Sequence, residues 1–345
     1  MDLGDHFERS GPTHLMARAG SGSIRMMIDW DKEEHRRCVA ASLVNSTYVM
    51  EKDRRRWSRA QLAPAWWTSF HFHLEHTRLL EDEHSIFGAI YRHVPPPPGQ
   101  HHPSAPHYIV AFRGTMTVDD MQLNAHIVTN TVHDSNRSQL AHQAVRNLLA
   151  TVHSRCIVWL TGHSQGASLA LEVGRHLMLD HRRNLPTFLF NPPQVSLAPV
   201  INLTHSPDDK TDLYTLSKLV KAGLGKVLRP HRKRMEKLFE QLSSWAPNLY
   251  VHEKDFLCQG FIDYFEQREK LERRFRGAAR SATALSYRDM LFYLLGKAKE
   301  PRPHLLPSAT VWKNSTHVCR LRSHGLKQWW KPDGELILTP RRYTY

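Results

Sequence analysis

Cysteine is scarce in this chain of 345 residues, and the few cysteines present are far apart. They show neither the spacing of a disulfide framework nor the paired spacing of zinc ligands, which favours a reducing compartment. The four positions are Cys38, Cys156, Cys258 and Cys319.

Long apolar runs are also missing. No stretch approaches the roughly 20 apolar residues of a membrane span. The amino terminus mixes acids with bases and lacks the apolar core of a secretory signal. We therefore expect a cytoplasmic protein without a transmembrane segment, whose contact with a membrane would be peripheral.

Acidic residues are outnumbered, because 33 Asp and Glu face 47 Lys and Arg, a formal net charge of +14. Such an excess attracts phosphates. No zinc-finger spacing, aromatic RNA-binding motif or helix-turn-helix signature accompanies it, and the cations are spread along the chain. We expect no nucleic-acid partner. Solvated helix faces explain the charge best, and contact with an anionic membrane surface or an acidic partner is the second interpretation.

Metal ligands in a recognisable spacing are absent as well. His71, His73 and His76 lie close together, but no cysteine or carboxylate stands near them in a ligand spacing. We therefore expect neither a metal nor an organic cofactor.

What the sequence does have is the segment CIVWLTGHSQGASLALEVG, from Cys156 to Gly174. Its apolar start predicts a short buried strand, and its apolar spacing after Ser164 predicts a helix. Ser164 would then sit on the tight corner between them, with Gly162 and Gly166 where bulk would meet neighbouring backbone. This is the Gly-x-Ser-x-Gly pattern of a nucleophile elbow, whose turn exposes a serine hydroxyl beside a helix amino terminus.

Strands and helices alternate around this segment. Apolar runs predict strands at SIFGAIYR, YIVAF, LPTFLF and NLYVH, with amphipathic helices between several of them. Residues from about 28 to 92, including WWTSFHFHLEHTRLL but not the strand SIFGAIYR, read as helix. The alternation predicts an α/β fold with a mainly parallel sheet, whose functional groups collect at the carboxyl ends of the strands.

The expected domain organisation is simple. Residues 1–27 would be a flexible amino-terminal segment, and 28–345 a single domain. A basic helical insertion occupies about 197–245, with an apolar stripe flanked by Lys and Arg. It could be a lid or a membrane-surface helix, but ordinary packing with a solvated basic face is the preferred interpretation.

Several segments together resemble the class 3 lipase family of α/β hydrolases. VAFRGT looks like the family's oxyanion strand and TGHSQGASLAL like its nucleophile elbow, although Gln165 and Ala167 stand where leucine and glycine are more usual. FHFHL, SIFGAIYR, FNPPQVS and SHGLKQWW resemble a plant branch of lipase-like proteins often labelled GDSL esterase/lipase, although no Gly-Asp-Ser-Leu motif is visible. The similarity runs from about residue 29 to 333.

The resemblance implies a Ser-Asp-His catalytic triad of Ser164, Asp255 and His324, in the order expected of an α/β hydrolase. It also implies an oxyanion hole made by Thr115 and the backbone amide of Gln165.

Other residues could take two of the triad roles. Glu253 or Asp263 could be the acid instead of Asp255. His317 competes with His324 as the base, but it lies in a segment that reads as strand. Arg113 is expected to be a structural ion-pair partner.

These features predict a serine esterase or lipase that cleaves small or lipid carboxylic esters through an acyl-enzyme. The alternative is a non-catalytic hydrolase scaffold that binds a partner or an ester-like ligand, because a fold does not guarantee activity.

Overall fold

The computed structural model describes residues 12–18, 24–56, 66–83, 85–95, 101–115, 136–194, 229–274, 305–320 and 322–345. In these residues the chain forms an α/β structure with one large mixed sheet, which is compatible with a hydrolase fold.

The sheet has eight strands, which lie side by side in chain order from β3 to β10. Their bounds are β3 (Phe72–Glu81), β4 (Ile86–His93), β5 (Tyr108–Phe112), β6 (Val158–His163), β7 (Thr187–Phe190), β8 (Asn248–His252), β9 (Ala309–Asn314) and β10 (Leu338–Tyr343). The strands from β5 to β9 are parallel to one another, whereas β3, β4 and β10 pair antiparallel at the two edges. The mainly parallel sheet expected from the sequence is therefore present.

Two short strands, β1 (Met16–Arg18) and β2 (Ile24–Met26), form a separate antiparallel pair. They fall within residues 1–27. The division of the chain into a flexible segment and one domain stays a prediction.

Helices cover both faces of the sheet. α1 (Glu33–Arg55) packs on one face, and α2 (Asn136–Thr151), α3 (Gln165–His181), α4 (Arg229–Leu242) and α5 (Gln259–Arg274) contribute to the core on the other. The sheet serves both cores because successive side chains of a strand point to opposite faces. In β6, for example, Val158 and Leu160 face α3 while Trp159 faces α1.

The segment WWTSFHFHLEHTRLL was expected to continue the first helix, and for most of its length this expectation is wrong. Trp66–Phe70 forms a short 3-10 helix, but Phe72–Glu81 forms β3, which pairs with β4. Burial alternates along its start, with Phe72 buried and His73 exposed. Pairing with β4 buries the apolar side chains of β3, such as Phe72, more completely than a surface helix would. Tertiary context therefore overrides the local pattern.

The basic insertion falls partly outside the described residues, including the whole of its apolar stripe at 213–224. Its described end, α4, buries Met235, Phe239 and Leu242. Just beyond it, Trp245 packs so closely on α3 that a Cβ at Gly174 would lie 2.5 Å from its ring. This end of the insertion is therefore packed into the core, and the interpretation of the stripe itself stays a prediction.

Among the helices of the described residues, none combines the length and the apolar character that crossing a membrane requires.

Candidate active site

Ser164 lies on the corner between β6 and α3. Its backbone is in the left-handed half of conformational space, at φ 53° and ψ −125°. A non-glycine residue is held in such a conformation only where the surroundings determine it.

The glycines on either side make this corner possible. A Cβ at Gly162 would lie 2.2 Å from the carbonyl oxygen of Gly166, and a Cβ at Gly166 would lie 2.4 Å from that of Phe112. No side chain fits either space, so the strand-turn-helix expected of the Gly-His-Ser-Gln-Gly sequence depends on both glycines.

Ser164, His324 and Asp255 come together across more than 150 residues of sequence. Ser164 Oγ lies 2.9 Å from His324 Nε2, and His324 Nδ1 lies 2.6 Å from Asp255 Oδ2. All three are buried, with Ser164 6%, Asp255 1% and His324 8% exposed. Their hydrogen bonds form one continuous line from hydroxyl to imidazole to carboxylate.

Each of the three follows a particular element. Ser164 follows β6, and Asp255 follows β8 in the short turn before α5. His324 lies in an irregular segment just before a 3-10 helix at Leu326–Trp330. The carboxyl ends of the parallel strands thus bring the serine and the aspartate to one edge of the sheet.

The alternative acid and base residues lie elsewhere. Glu253 accepts a hydrogen bond from Ser315, at 2.8 Å between its Oε2 and the serine Oγ. Asp263 lies within α5. His317 is exposed in an irregular stretch after β9, so its segment is not the strand that its sequence suggested.

Asp255 is surrounded by hydrogen-bond donors. Its Oδ2 accepts from Asn191 Nδ2 at 2.5 Å and from Cys258 Sγ at 3.2 Å as well as facing His324, and its Oδ1 accepts from the backbone amide of Leu257 at 3.1 Å. Burial by itself raises the pKa of Asp255, but the hydrogen bonds and the charge of His324 outweigh burial and bring the pKa below its ordinary value. The carboxylate is therefore ionised at neutral pH.

Cys258 takes part as a neutral thiol. Burial, together with the charge of Asp255, raises the pKa of Cys258 well above its ordinary value. The protonated sulfur is thus a donor to the carboxylate, not a nucleophile.

Asn191 is a site residue that the sequence analysis missed. It is fully buried with a positive φ of 46°, and its Nδ2 also donates to the carbonyl oxygen of Ser323 at 2.9 Å. Its Oδ1 accepts from the indole of Trp329. A signal was available, because a polar residue directly after the buried strand β7 stands at the functional edge of a parallel sheet.

The end of β5 lies against the elbow. A Cβ at Gly114 would lie only 2.9 Å from the Cβ of Ser164, and Thr115 follows directly. On the other side of the serine, Gln165 is the first residue of α3, where a backbone amide has no acceptor within the helix. Their role as an oxyanion hole stays a prediction.

Arg113 makes structural contacts. Its Nε donates to the carbonyl oxygen of Ile86 at 2.5 Å and its Nη1 to that of Gly114 at 2.7 Å, and its Nη2 lies 3.9 Å from the buried carboxylate of Glu51. The guanidinium thus ties β5 to β4 and α1.

The described residues were also compared with the side-chain groups that bind metal ions. Over the part of the chain that the structure describes, no group of three or more His, Cys, Asp or Glu side chains could hold an ion.

Comparison with known proteins places the chain in a family. The chain is 37% identical over 355 aligned residues to a protein of Arabidopsis thaliana named GDSL esterase/lipase At4g10955, and the alignment covers 96% of each chain. The chain belongs to this esterase/lipase family of plant proteins. No protein-family model matches the chain.

The relative's name agrees with the label that the sequence resemblance suggested. It does not support class 3 lipases as such, because GDSL enzymes are a different family. The chain itself carries Gly-His-Ser-Gln-Gly around its candidate nucleophile and has no Gly-Asp-Ser-Leu tetrapeptide.

Proposed function

We propose that this protein is a serine hydrolase that cleaves carboxylic esters through an acyl-enzyme on an α/β-hydrolase fold. The observation that carries the proposal is the line of hydrogen bonds from Ser164 Oγ through His324 to Asp255, at 2.9 and 2.6 Å. The name of the Arabidopsis relative supports the same general activity.

Each residue has a defined role in the proposed reaction. His324 Nε2 takes the proton of the Ser164 hydroxyl while Oγ forms a bond to the ester carbonyl carbon. The tetrahedral intermediate then expels the alcohol, which leaves with the proton from His324. Water repeats the sequence on the acyl-enzyme, which releases the acid and regenerates Ser164.

Asp255 serves His324 in two ways. Its ionised Oδ2 fixes the tautomer that carries a proton on Nδ1, which leaves Nε2 free to accept the serine proton. Its negative charge then stabilises the imidazolium that forms in the transition state.

The negative charge that develops on the substrate oxygen would be held by the backbone amides of Thr115 and Gln165. The amino terminus of α3 adds the positive end of a helix dipole at the same point. One preorganised donor of this kind is typically worth about 3 to 4 kcal/mol of transition-state stabilisation.

We assign the chain to the class 3 lipase-like branch because VAFRGT and TGHSQGASLAL resemble that family's oxyanion strand and nucleophile elbow, apart from Gln165 and Ala167, whereas the Gly-Asp-Ser-Leu motif does not occur. The proposed substrates are small or lipid esters.

The test compares purified wild type with Ser164→Ala on a short-chain and a long-chain p-nitrophenyl ester, with labelling by a fluorophosphonate probe. The variant should lose roughly 10⁴- to 10⁶-fold in kcat and should not label. Ser168→Ala, one turn further along α3 and half-buried, is the matched control and should keep both properties.

Two outcomes contradict the proposal. Folded wild-type protein that neither hydrolyses the esters nor labels would favour the non-catalytic scaffold. Hydrolysis that survives in Ser164→Ala would place the nucleophile elsewhere.

A further inference from the structure

A second line of hydrogen bonds passes through Tyr48 and through His163, the residue directly before Ser164, and neither has a role in the proposed chemistry. The amide of Gly114 donates to Tyr48 Oη at 2.7 Å, and Tyr48 Oη lies 2.8 Å from His163 Nδ1. His163 Nε2 in turn lies 2.8 Å from the backbone carbonyl oxygen of His324.

The direction of each bond follows from its two ends. A backbone carbonyl can only accept, so His163 carries its proton on Nε2. Nδ1 of a neutral imidazole is then an acceptor, and the Tyr48 hydroxyl must donate to it. The same hydroxyl accepts from Gly114, so every donor has an acceptor, and no other arrangement of a neutral His163 satisfies all three bonds.

Burial keeps both side chains neutral. It lowers the pKa of His163 to about 3, and the nearby charge of His324 acts in the same direction. Burial also raises the pKa of Tyr48, although the Gly114 amide opposes the shift. At neutral pH the line therefore holds one fixed arrangement of protons.

The two ends of this line are the two parts of the site that must be aligned with Ser164. Gly114 directly precedes Thr115 at the end of β5, and a Cβ at Gly114 would lie 2.8 Å from Tyr48 Oη and 2.9 Å from the Cβ of Ser164. At the other end, His163 Nε2 donates to the backbone carbonyl of His324, whose side-chain Nε2 lies 2.9 Å from Ser164 Oγ.

We propose that Tyr48 and His163 are positioning residues, which hold the end of β5 and the backbone of His324 at a fixed separation across Ser164. This assignment rests on the proposed function. It gives the histidine of Gly-His-Ser-Gln-Gly and a tyrosine of α1 an indirect role in catalysis, through the groups that they position. Errors in such alignment lower the rate of the chemical step, kcat, more than they weaken the binding of substrate.

The experiment is Tyr48→Phe, which removes only the hydroxyl. Its matched control is Tyr91→Phe, because Tyr91 is a fully buried tyrosine whose hydroxyl bonds Ser46 of the same helix α1. Tyr48→Phe should lower kcat about 10- to 100-fold at nearly constant KM. Tyr91→Phe should keep kcat within about twofold of wild type. Thermal unfolding of both variants shows whether they fold.

Nuclear magnetic resonance of ¹⁵N-labelled histidine supplies a readout that needs no turnover. Wild-type His163 should be neutral, with its proton on Nε2, from pH 5 to 8. A proton on Nδ1, or titration near pH 6.5, would overturn the assignment even if Tyr48→Phe failed to fold.

The kinetic outcomes separate the two proposals. If wild type is active and Tyr48→Phe matches Tyr91→Phe, the positioning role is wrong and the proposed function stands. If wild type turns over no ester, the proposed function fails and the positioning role fails with it.

Discussion

Replacing Asp255 with asparagine separates the charge of this residue from its hydrogen-bonding role. The introduced amide can lie in two orientations. When its oxygen replaces Oδ2, the side chain keeps the bonds from His324, Asn191 and Cys258. The NH₂ group then replaces Oδ1, and only the bond from the Leu257 amide is lost. When its NH₂ group replaces Oδ2, the donors of His324, Asn191 and Cys258 all face another donor, and three hydrogen bonds are lost.

The first orientation is therefore expected, because it sacrifices one hydrogen bond instead of three. Asn191 cannot rotate to rescue the second one, since its amide also binds Ser323 and Trp329. His324 then keeps its proton on Nδ1, and Nε2 stays free to accept the proton of Ser164. Asp255→Asn should accordingly lose the charge without losing the tautomer.

The expected cost is the attraction between the carboxylate and the imidazolium formed in the transition state. At a separation of about 4 Å and an effective dielectric constant of about 20, this attraction is about 4 kcal/mol. Each 1.36 kcal/mol is a factor of ten in rate, so kcat/KM should fall about 10³-fold. The assay is hydrolysis of the better p-nitrophenyl ester, with Ser164→Ala giving the background rate.

Two results would refute this reasoning. A fall of less than tenfold would mean that the charge of Asp255 contributes little to the reaction. A fall to the Ser164→Ala background, together with a His324 proton on Nε2 in the ¹⁵N spectrum, would show that the amide takes the orientation argued against.

Three further substitutions test how the site is held. Gly166→Ala should abolish ester hydrolysis and lower the thermal midpoint, because its Cβ would lie 2.4 Å from the carbonyl oxygen of Phe112. Arg37→Met should lower the free energy of unfolding in urea by about 1 to 3 kcal/mol, because the fully buried guanidinium donates to the carbonyl oxygen of Trp329 at 2.6 Å and a buried acceptor left unpaired costs about that much. Burial would raise the pKa of Glu51, but hydrogen bonds from two arginines and a backbone amide lower it to about 2. The folded pKa lies below the unfolded value of about 4.3, so this stabilisation is complete above that value and is lost as the pH falls toward 2. Between pH 5 and pH 3, wild type should lose more stability than Glu51→Gln, and equal losses in denaturant titrations would contradict this assignment.

The part of the site that the sequence predicts best is the part whose structure is local. Within about 20 residues, an apolar strand, a Gly-x-Ser-x-Gly corner and an amphipathic helix follow one another, so Ser164 and its conformation could be placed from periodicity and two glycines. The α/β alternation likewise predicted the mainly parallel sheet. The local pattern does not single out Asp255, because Glu253, Asp255 and Asp263 all follow β8 and only tertiary structure shows which one faces His324.

What the sequence could not predict depends on pairing between distant segments. β3 has apolar residues in a spacing that also suits a helix, and only β4 decides in favour of a strand. Asn191 and Tyr48 carry no motif of their own. Their importance comes from partners more than 60 residues away, on Asp255 and His163 respectively.

The placement of His324 shows why such distant partners matter to catalysis. It lies in a segment without regular secondary structure, so no helix or strand fixes its position. Side chains from the sheet and α1 fix it instead, by donating to backbone carbonyls: Asn191 to Ser323, His163 to His324 itself, and Arg37 to Trp329.

Because a backbone carbonyl accepts from any donor in reach, these anchors place few demands on the sequence of the segment that carries His324. The residues that must be of a particular type are the donors Arg37, His163 and Asn191, which are buried and belong to α1 and to the ends of β6 and β7. The position of the proposed base is therefore encoded in part more than 130 residues away from it, and in part by Gln328 of the same segment, whose amide donates to the carbonyls of Ser323 and Gly325. Substitution of one of these donors should reduce kcat even where the segment around His324 is unchanged.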